Sequence, residues 1–358
     1  MNTGGAETFL MKLYRNIERT KYQMDFCVNT KDECFYNKEI REMGGKVHYI
    51  PPKTADINEF KKQLTELIKN EKYEYVLRIT SNAAGFMDLK IAKNAGAKVC
   101  AARSSNSSDG ESLRVKIIHY LSRLLYGKYV DVKFAPSDLA AEYTFGKVAL
   151  KKGKVSLLHN AVDLNIYHYY AKEREDIRKE LSLEDKKVIG HIGRFMHQKN
   201  HSFLLDIFYE IKKKEPNSVL LLVGGNGDLE KSVRQKVADR GLEDSVIFAG
   251  IRSDIPQILS AMDVFVMPSF FEGMPNTVIE AQATGLPCVI SDTITKQADI
   301  TGLVEYLPLS QPASIWAEKA LAVISDSRQD TKQYFIDNGY DINGTTKEFV
   351  RLIFGDEQ

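Results

Sequence analysis

The chain has 358 residues, 43% of them hydrophobic and 27% charged, which excludes a disordered or fibrous protein and allows two cores. Its four cysteines are scattered without a Cys-x-x-Cys pair, so neither a disulfide framework nor a structural zinc site is predicted. The net charge is only +1, but residues 1–160 hold 27 lysines and arginines against 18 aspartates and glutamates, and the rest of the chain holds 22 against 30.

The basic first half indicates an anionic partner. No recognition motif or interleaved basic–aromatic pattern indicates a nucleic acid, so an anionic membrane surface or a lipid-phosphate acceptor fits better. No apolar run approaches the ~18 residues that span a bilayer, and no signal peptide opens the sequence. We expect a cytoplasmic protein that is at most peripheral at the inner face of the cell membrane.

Short apolar runs alternate with amphipathic stretches along the chain, a pattern typical of mostly parallel sheets covered by helices. In the first half, strands are predicted at residues 23–28, 46–50, 75–79, 98–101, 132–135 and 155–158, with helices at 56–69 and 111–126. The pattern then restarts, with strands at 188–193, 219–223, 246–248, 264–267 and 288–290, and helices at 172–181, 202–214 and 229–240.

The prediction is therefore an α/β protein with two doubly wound domains. Residues 1–163 form an N-terminal domain, residues 164–338 form a C-terminal domain, and residues 339–358 contain a final amphipathic helix. The helix at 111–126 is apolar and basic. The preferred interpretation is a sheet-covering helix with a solvated basic face, and the alternative is a helix that lies on a membrane.

Two carboxylates flank the junction between the strand at 264–267 and a helix predicted to begin at Pro275, a position where proline costs a helix little. Glu272 lies in the turn, and Glu280 lies about one and a half turns into the helix. The N-terminus of a helix suits a phosphate, whereas carboxylates beside it must accept hydrogen bonds from hydroxyls. The segment indicates a nucleotide-sugar. The alternative is a buried strand–turn–helix with two solvated glutamates.

This segment resembles the hallmark of the retaining glycosyltransferases of family 4, which have the GT-B fold of two Rossmann-like domains facing a cleft. Glu272 and Glu280 are followed by Ala281, Gly285 and Pro287 as in that family. Further matching segments occur in the family's order, at residues 4–7 (Gly-Gly-Ala-Glu), 160–163 (Asn-Ala-Val-Asp), 193–194, 199–200, 223–227 and 248–250.

The resemblance implies that residues 1–163 form the acceptor-side domain, that residues 164–338 bind the nucleotide-sugar donor, and that the helix in residues 339–358 packs back on the N-terminal domain. It also implies that Glu280 accepts hydrogen bonds from the donor ribose and Glu272 from the transferred sugar. Arg194 and Lys199, at the end of a predicted strand, would neutralise the donor diphosphate as it leaves. The other expected donor-binding residues are Gly273, Met274, Pro275, Asn276, Thr277, Gly224, Gly225, Gly227, Ile251, Arg252, Gly4 and Gly5.

No Asp-x-Asp occurs in the sequence, so we expect no metal requirement and no cofactor, with a UDP- or GDP-sugar as donor substrate. Arg103 and Ser105 are the candidate acceptor-side contacts; Ser105 stands where related enzymes often have a histidine. Serine is not a general base near neutral pH, but a donor phosphate oxygen can take the acceptor proton. His159, His191, His197 and His201 are expected to be packing or surface residues.

The family places a central strand before its Gly-Gly-Ala-Glu loop, whereas only three residues precede Gly4 here. We expect that strand to be missing, through truncation or a misassigned start. The predicted activity is retaining transfer of a sugar to a glycan acceptor in surface polysaccharide or capsule assembly, and the resemblance implies that this acceptor is lipid-linked. The alternatives are a nucleotide-sugar 2-epimerase and a non-catalytic sugar-binding homologue.

Overall fold

The computed structural model describes residues 5–105, 113–225, 227–272 and 274–355. They form two compact units. The described residues as far as Ala161, together with those from Gly339 onward, make up the first unit, and Val162–Asn338 make up the second.

The first unit is an α/β structure in which every strand pairing is parallel. Its elements are α1 (Gly5–Asn16), β1 (Phe26–Val28), α2 (Asn37–Glu42), β2 (Val47–Tyr49), α3 (Ile57–Glu71), β3 (Tyr75–Thr80), α4 (Phe86–Ala95), β4 (Val99–Ser104), α5 (Leu113–Tyr126), β5 (Val132–Ala135), α6 (Asp138–Phe145), α7 (Lys147–Lys151) and β6 (Ser156–Leu157), and, after the second unit, α15 (Ile342–Phe354).

The strands of this unit lie in two separate sheets, β1–β2 and β3–β4–β5–β6. The register pairs Phe26 with Val47 in the first sheet and Tyr75 with Val99 in the second. Among the described residues no strand precedes β1, and the first element is the helix α1. Helix α15 packs on this unit, where the Phe349 ring lies 5.9 Å from the Phe134 ring of β5.

The second unit is a six-stranded parallel sheet with helices on both faces. Its elements are α8 (Ala171–Glu180), β7 (Lys187–Ile192), α9 (His201–Lys214), β8 (Ser218–Val223), α10 (Glu230–Asp239), β9 (Val246–Gly250), α11 (Ile255–Ala261), β10 (Val264–Met267), α12 (Asn276–Ala283), β11 (Cys288–Ser291), β12 (Val304–Leu307), α13 (Ala313–Ala322) and α14 (Lys332–Asp337).

The strand order of this sheet is β12-β11-β10-β7-β8-β9. The chain thus proceeds outward from β7 through β8 to β9, and then returns to the other side of β7 with β10. Ligands of doubly wound sheets bind at the carboxyl ends of the strands where this order reverses. The reversal point lies between β7 and β10, and it is the place in this unit where a ligand is expected.

The beginning of β10 is fixed against β7 by Asp263. Its carboxylate accepts hydrogen bonds from the Val188 N–H at 2.7 Å and from the Arg178 guanidinium at 2.7 Å. Arg174 donates to the other carboxylate oxygen at 2.5 Å. Since both strands are anchored at their amino ends, the loops at their carboxyl ends start from defined positions.

Two differences from the predicted elements concern one strand and one helix face. The strand β12 was not predicted. The interpretation of the helix at 111–126 as sheet-covering with a solvated basic face is wrong, because much of the apolar side of α5 faces solvent, including Leu113, Leu121 and Leu124. None of the helices in the described ranges combines the length and hydropathy that a membrane crossing needs.

Candidate functional site

Four loops meet at the carboxyl edge of the second sheet, following β7, β8, β9 and β10. Two close backbone contacts hold the first three together: the Gly193 N–H donates to the Val223 carbonyl at 2.9 Å, and the Gly224 N–H donates to the Gly250 carbonyl at 2.8 Å. These bonds prolong the ladder beyond the strands and bring the predicted donor-binding loops side by side.

Glycine is required at two positions of this edge. Gly224 has φ +141, and a Cβ there would lie 2.2 Å from the carbonyl oxygen of Gly193. A Cβ on Gly227 would lie 2.1 Å from the carbonyl oxygen of Phe195. Both glycines therefore let the β8 loop pass directly against the β7 loop, which is a packing requirement in addition to any ligand contact.

The loop after β10 is fastened to the loop after β7. The Phe270 N–H donates to the Gln198 carbonyl at 2.9 Å, and the Gln198 side-chain amide donates to the Phe271 carbonyl at 2.9 Å. The His197 and Phe270 rings stack with centroids 4.7 Å apart. The reversal point of the sheet is thereby spanned by a double connection between the two loops.

Lys199 and Glu272 form an ion pair across this connection. The Lys199 Nζ donates to the Glu272 Oε1 at 2.8 Å, and the two side chains are 16% and 10% exposed. At that burial the attraction is screened much less than between two surface charges. A lysine retains two further N–H donors when one is used, so Lys199 can hold Glu272 and donate to an anion together.

Helix α12 begins at Asn276, with Pro275 in the N-cap position and no side-chain cap. The helix thus starts one residue later than predicted, because Pro275 has φ −79 and ψ 94 and lies outside the helical region. Thr277 lies in the uncapped first turn, where backbone donors remain for a ligand. Glu280 is 9% exposed on the same helix.

The remaining predicted donor residues differ in their surroundings. Arg194 is exposed and makes no side-chain hydrogen bond or ion pair within the described ranges. Met274 packs on the core below the loop, whereas Gly273 lies outside the described residues. Ile251 is 70% exposed, and a Cβ on Gly225 would lie 3.2 Å from its Cγ1.

Arg252 is already occupied by two carboxylates. Its guanidinium donates to Asp254 at 2.8 Å and to Glu180 at 2.6 Å, and these hydrogen bonds raise its pKa above the ordinary arginine value. Arg252 stays a predicted donor-binding residue, and in this structure its positive charge is paired with carboxylates of the same unit. The neighbouring Ile251 side chain, in contrast, is exposed to solvent at this end of β9.

Of the predicted residues of the first unit, Arg103 is placed differently from expectation. It is 2% exposed; its guanidinium lies 3.5 Å from the Phe9 ring centroid and donates to Asn160 Oδ1 at 2.6 Å. Burial lowers its pKa to about 9. In this conformation Arg103 connects the end of β4 to residue 160, rather than presenting its charge to an acceptor.

The other first-unit candidates lie at element ends. Ser105 is exposed at the carboxyl end of β4, where its N–H donates to the Thr80 carbonyl at 2.9 Å. Gly5 is the first residue of α1, and Gly4 lies outside the described residues.

The histidines behave as predicted. His191 is fully buried and its Nδ1 lies 2.8 Å from the Val266 carbonyl, and burial holds its pKa well below the usual value. His201 packs against Phe195, and burial lowers its pKa to about 4. His159 stacks on Tyr340 at 4.2 Å, whereas His197 is exposed. In the described part of the chain, no three His, Cys, Asp or Glu residues are grouped to hold a metal ion.

Sequence reasoning missed two features of this site. It assigned Lys199 to the diphosphate and Glu272 to the sugar, and did not predict that they pair. It also passed over Gln198, whose amide joins the two loops. The signal available was strand order: once β10 is placed beside β7, the residues that follow each strand become neighbours.

Comparisons with known proteins agree with this architecture. A family described as "Glycosyl transferases group 1" matches residues 186–326. EpsF of Bacillus subtilis (strain 168), named as a glycosyltransferase, is 34% identical over 351 residues, covering 95% of this chain and 91% of that protein. The UDP-Gal:alpha-D-GlcNAc-diphosphoundecaprenol alpha-1,3-galactosyltransferase of Escherichia coli is 27% identical over 308 residues, 80% of this chain and 79% of that enzyme.

Among solved structures, Anabaena Alr3699/HepE in complex with UDP and glucose matches with a TM-score of 0.73 at 17% identity, covering 97% of this chain and 95% of that chain. At this identity the likeness shows the fold, which is GT-B as predicted. The similarity to EpsF is closer and extends along nearly the whole chain. The chain belongs to the group 1 glycosyltransferases.

Proposed function

We propose that this glycosyltransferase binds a UDP-sugar at the carboxyl edge of its second unit and transfers the sugar, with retention and without a metal ion, to a lipid-linked glycan. The observation that carries the proposal is the Lys199–Glu272 ion pair, which lies at the reversal point of the sheet and just before the uncapped N-terminus of α12.

The pair resolves an electrostatic conflict in the predicted site. An unpaired carboxylate in the loop would repel a diphosphate bound at the N-terminus of α12. Lys199 offsets that charge at a distance of 2.8 Å and still has donors for a phosphate oxygen. Arg194, the exposed cation of the same loop, supplies a guanidinium fork that suits the phosphate geometry. These cations and the helix dipole would stabilise the leaving diphosphate.

The two carboxylates then serve as acceptors for hydroxyl groups on either side of the diphosphate. Glu280, largely buried on α12, would accept from the ribose. Glu272, held by Lys199, would accept from the transferred sugar. A charged acceptor that is positioned beforehand binds a hydroxyl more strongly than a neutral one does.

A uridine base fits the surface formed by Ile251. That side chain is exposed beside Gly225 and supplies an apolar face for a planar ring. The E. coli relative is named for UDP-Gal, and Alr3699/HepE was solved with UDP, which supports uridine over guanosine.

Retention follows if the acceptor oxygen forms its bond on the face that the diphosphate leaves. The bond between the sugar C1 and the diphosphate oxygen breaks, and a phosphate oxygen takes the acceptor proton. Within the described residues His191 and His201 are buried with lowered pKa values and are poorly placed to serve as a base, whereas the exposed His197 ring is stacked on Phe270. The protein would contribute charge stabilisation rather than a proton carrier.

The acceptor is assigned from chemistry and from relatives together. Residues 1–160 are strongly basic, as a lipid diphosphate or an anionic membrane surface requires. The E. coli relative is named for a diphosphoundecaprenol acceptor. The proposal therefore includes a cytoplasmic enzyme that works at the inner face of the cell membrane, in the assembly of a surface polysaccharide.

The proposal is tested with purified protein and a panel of UDP- and GDP-sugars. A donor at 100 times its dissociation constant should raise the free energy of unfolding by about 2.7 kcal/mol, seen as a thermal shift. The preferred donor should release UDP much faster when a short-chain polyprenyl-diphosphate glycan is added than by slow hydrolysis without it, and proton NMR of the product should show the donor's anomeric configuration.

Three results would count against it. Interconversion of the donor without an acceptor would indicate an epimerase. Donor binding with neither transfer nor slow hydrolysis would indicate a sugar-binding protein. Inversion at the anomeric carbon would refute retention alone.

A further inference from the structure

Helix α5 presents an apolar face to solvent. Two of its leucines, Leu113 and Leu124, are 75% and 80% exposed. The other large hydrophobic residues exposed on this helix are Ile117, Ile118, Tyr120, Leu121 and Leu125. A helix that covers a sheet normally turns such residues inward, and a contiguous exposed apolar patch marks a surface that binds something.

The exposed residues share one side of the helix. Leu113, Ile117, Leu121 and Leu124 recur at intervals of three and four, so they form a single stripe along its length. Ile118, Tyr120 and Leu125 extend this stripe to either side. We call these seven residues the outer face of α5.

Polar contacts on the opposite side fix this orientation. The Nδ1 of buried His119 accepts a hydrogen bond from the Ala83 N–H at 3.1 Å, and its Nε2 lies 3.0 Å from the Tyr143 carbonyl. The His119 ring also stacks on Tyr143 with centroids 4.7 Å apart. Rotating α5 so that the outer face points inward would bury apolar residues but would break these contacts. The His119 contacts therefore keep the outer face exposed.

The charges on this part of the chain indicate the partner. Helix α5 contains no aspartate or glutamate, and its cations are Arg114, Lys116 and Arg123. Lys116 and Arg123 lie two turns apart along one edge of the outer face. From Leu113 to Asn160 the sequence has nine lysines and arginines against three aspartates and glutamates.

We propose that the outer face of α5 inserts into the interfacial region of an anionic lipid bilayer. An apolar helix face bordered by lysine and arginine, whose stems reach along apolar surface while their charges stay in water, fits a lipid interface. The inference deepens the proposed function, because it names the surface by which an enzyme that acts on a lipid-linked acceptor binds the membrane. Vesicle binding itself needs neither donor nor acceptor, so the two proposals can be tested separately.

The test is sedimentation of the full chain with vesicles of equal parts phosphatidylglycerol and phosphatidylcholine, and with phosphatidylcholine alone. We expect the partition coefficient to be at least about tenfold higher on the anionic vesicles. Leu113→Glu with Leu124→Glu should lower it at least about tenfold, since both side chains leave the interface. The matched control, Ile315→Glu with Ile336→Glu on the second unit, replaces exposed isoleucines and should change it by less than about twofold.

A second variant measures insertion directly. In Leu121→Trp, the fluorescence of the introduced indole should shift to the blue on vesicles and be quenched by brominated lipid. Trp316, the one natural tryptophan and fully buried in α13, should be unaffected. Unchanged partitioning of the double glutamate variant, or fluorescence of the Leu121→Trp variant that vesicles do not alter, would overturn the proposal.

Analytical ultracentrifugation tests whether the outer face of α5 binds a second copy of the protein instead of a membrane. If wild-type protein is a dimer that the double glutamate variant converts to monomer, with no vesicle binding in either, the outer face contacts a second copy and the proposal is overturned. Calorimetry with a UDP-sugar on the same proteins should give equal affinities. If the wild-type protein does not bind a UDP-sugar, the proposed function is refuted, but the conclusion from the vesicle experiment is unaffected.

Discussion

Replacing Lys199 by methionine tests whether the ion pair at the reversal point serves catalysis as well as the fold. Methionine keeps the length of the side chain but leaves the Glu272 carboxylate unpaired at 10% exposure. Removing one partner of a fully buried pair costs about 3–5 kcal/mol, and the residual water contact here reduces our expectation to about 2 kcal/mol. For a unit of this size that corresponds to a fall in Tm of about 4–8 °C.

Activity should fall further than stability. Loss of a cation that faces the departing diphosphate is expected to lower kcat by about 10²–10³-fold. Adding Glu272→Gln to Lys199→Met removes the unpaired charge and should restore the free energy of unfolding to within about 1 kcal/mol of wild type. It should not restore kcat. Urea unfolding and UDP release in the presence of acceptor measure the two quantities.

The control is Lys187→Met, which breaks a lysine–glutamate pair of similar length. Lys187 Nζ lies 2.7 Å from Glu215, but the two side chains are 49% and 27% exposed. Because an exposed ion pair contributes little to stability, we expect no significant change in the midpoint of urea unfolding and unchanged activity. If Lys199→Met behaves like this control, or if the double variant recovers full activity, the assignment of Lys199 to the diphosphate is refuted.

Three further predictions concern the same unit. Glu280→Ala should weaken UDP-sugar binding at least about tenfold by calorimetry, with Glu184→Ala as the exposed control; equal affinities would exclude the ribose role. Gly224→Ala places a Cβ 2.2 Å from a backbone carbonyl at φ +141 and should cost more than about 2 kcal/mol in urea unfolding, whereas Gly250→Ala, at φ +65 with no atom within 4 Å, should cost about 1 kcal/mol. Burial lowers the His201 pKa to about 4, so the folded state keeps this ring neutral while the unfolded state protonates below pH ~6.5. Stability should fall by up to about 3 kcal/mol as pH decreases from ~6.5 to ~4, and His201→Phe should reduce that fall in thermal melts; an unchanged pH profile would contradict the linkage.

The fold could be predicted because its strands are buried on both faces. Such strands have continuous apolar sequences, and the strand predicted at 264–267 has those limits in the structure. The strand β12 was missed because only Val304 is buried among its four residues, which include Glu305 and lie at the edge of the sheet. An edge strand with a charged residue lacks the apolar pattern.

The sequence does not predict whether the apolar face of α5 points toward the sheet or toward solvent. Periodicity groups the apolar residues of α5 on one side, but it does not say whether that side faces the sheet. The orientation of α5 is set by His119, whose ring nitrogens form hydrogen bonds with the Ala83 N–H and the Tyr143 carbonyl. Neither contact has a local sequence signal, since the partners lie 36 and 24 residues away.

The candidate site was partly accessible to sequence reasoning. The position of Glu280 on a helix that follows a strand could be predicted from local pattern, whereas the Lys199–Glu272 pair spans 73 residues and depends on β10 lying beside β7. Burial of Arg103 against Phe9 could not be inferred from the sequence. Arg103 stands between Ala102 and Ser104, and this local sequence does not distinguish a buried arginine from an exposed one.

The most direct measurement is a crystal structure of the protein with a bound UDP-sugar. We expect the diphosphate to accept hydrogen bonds from the first turn of α12, with Lys199 on a phosphate oxygen, Glu280 on the ribose and Glu272 on the transferred sugar. A nucleotide bound away from this turn, or a complex in which both glutamates face bulk water, would contradict the assignment of donor binding to the reversal point of the second sheet.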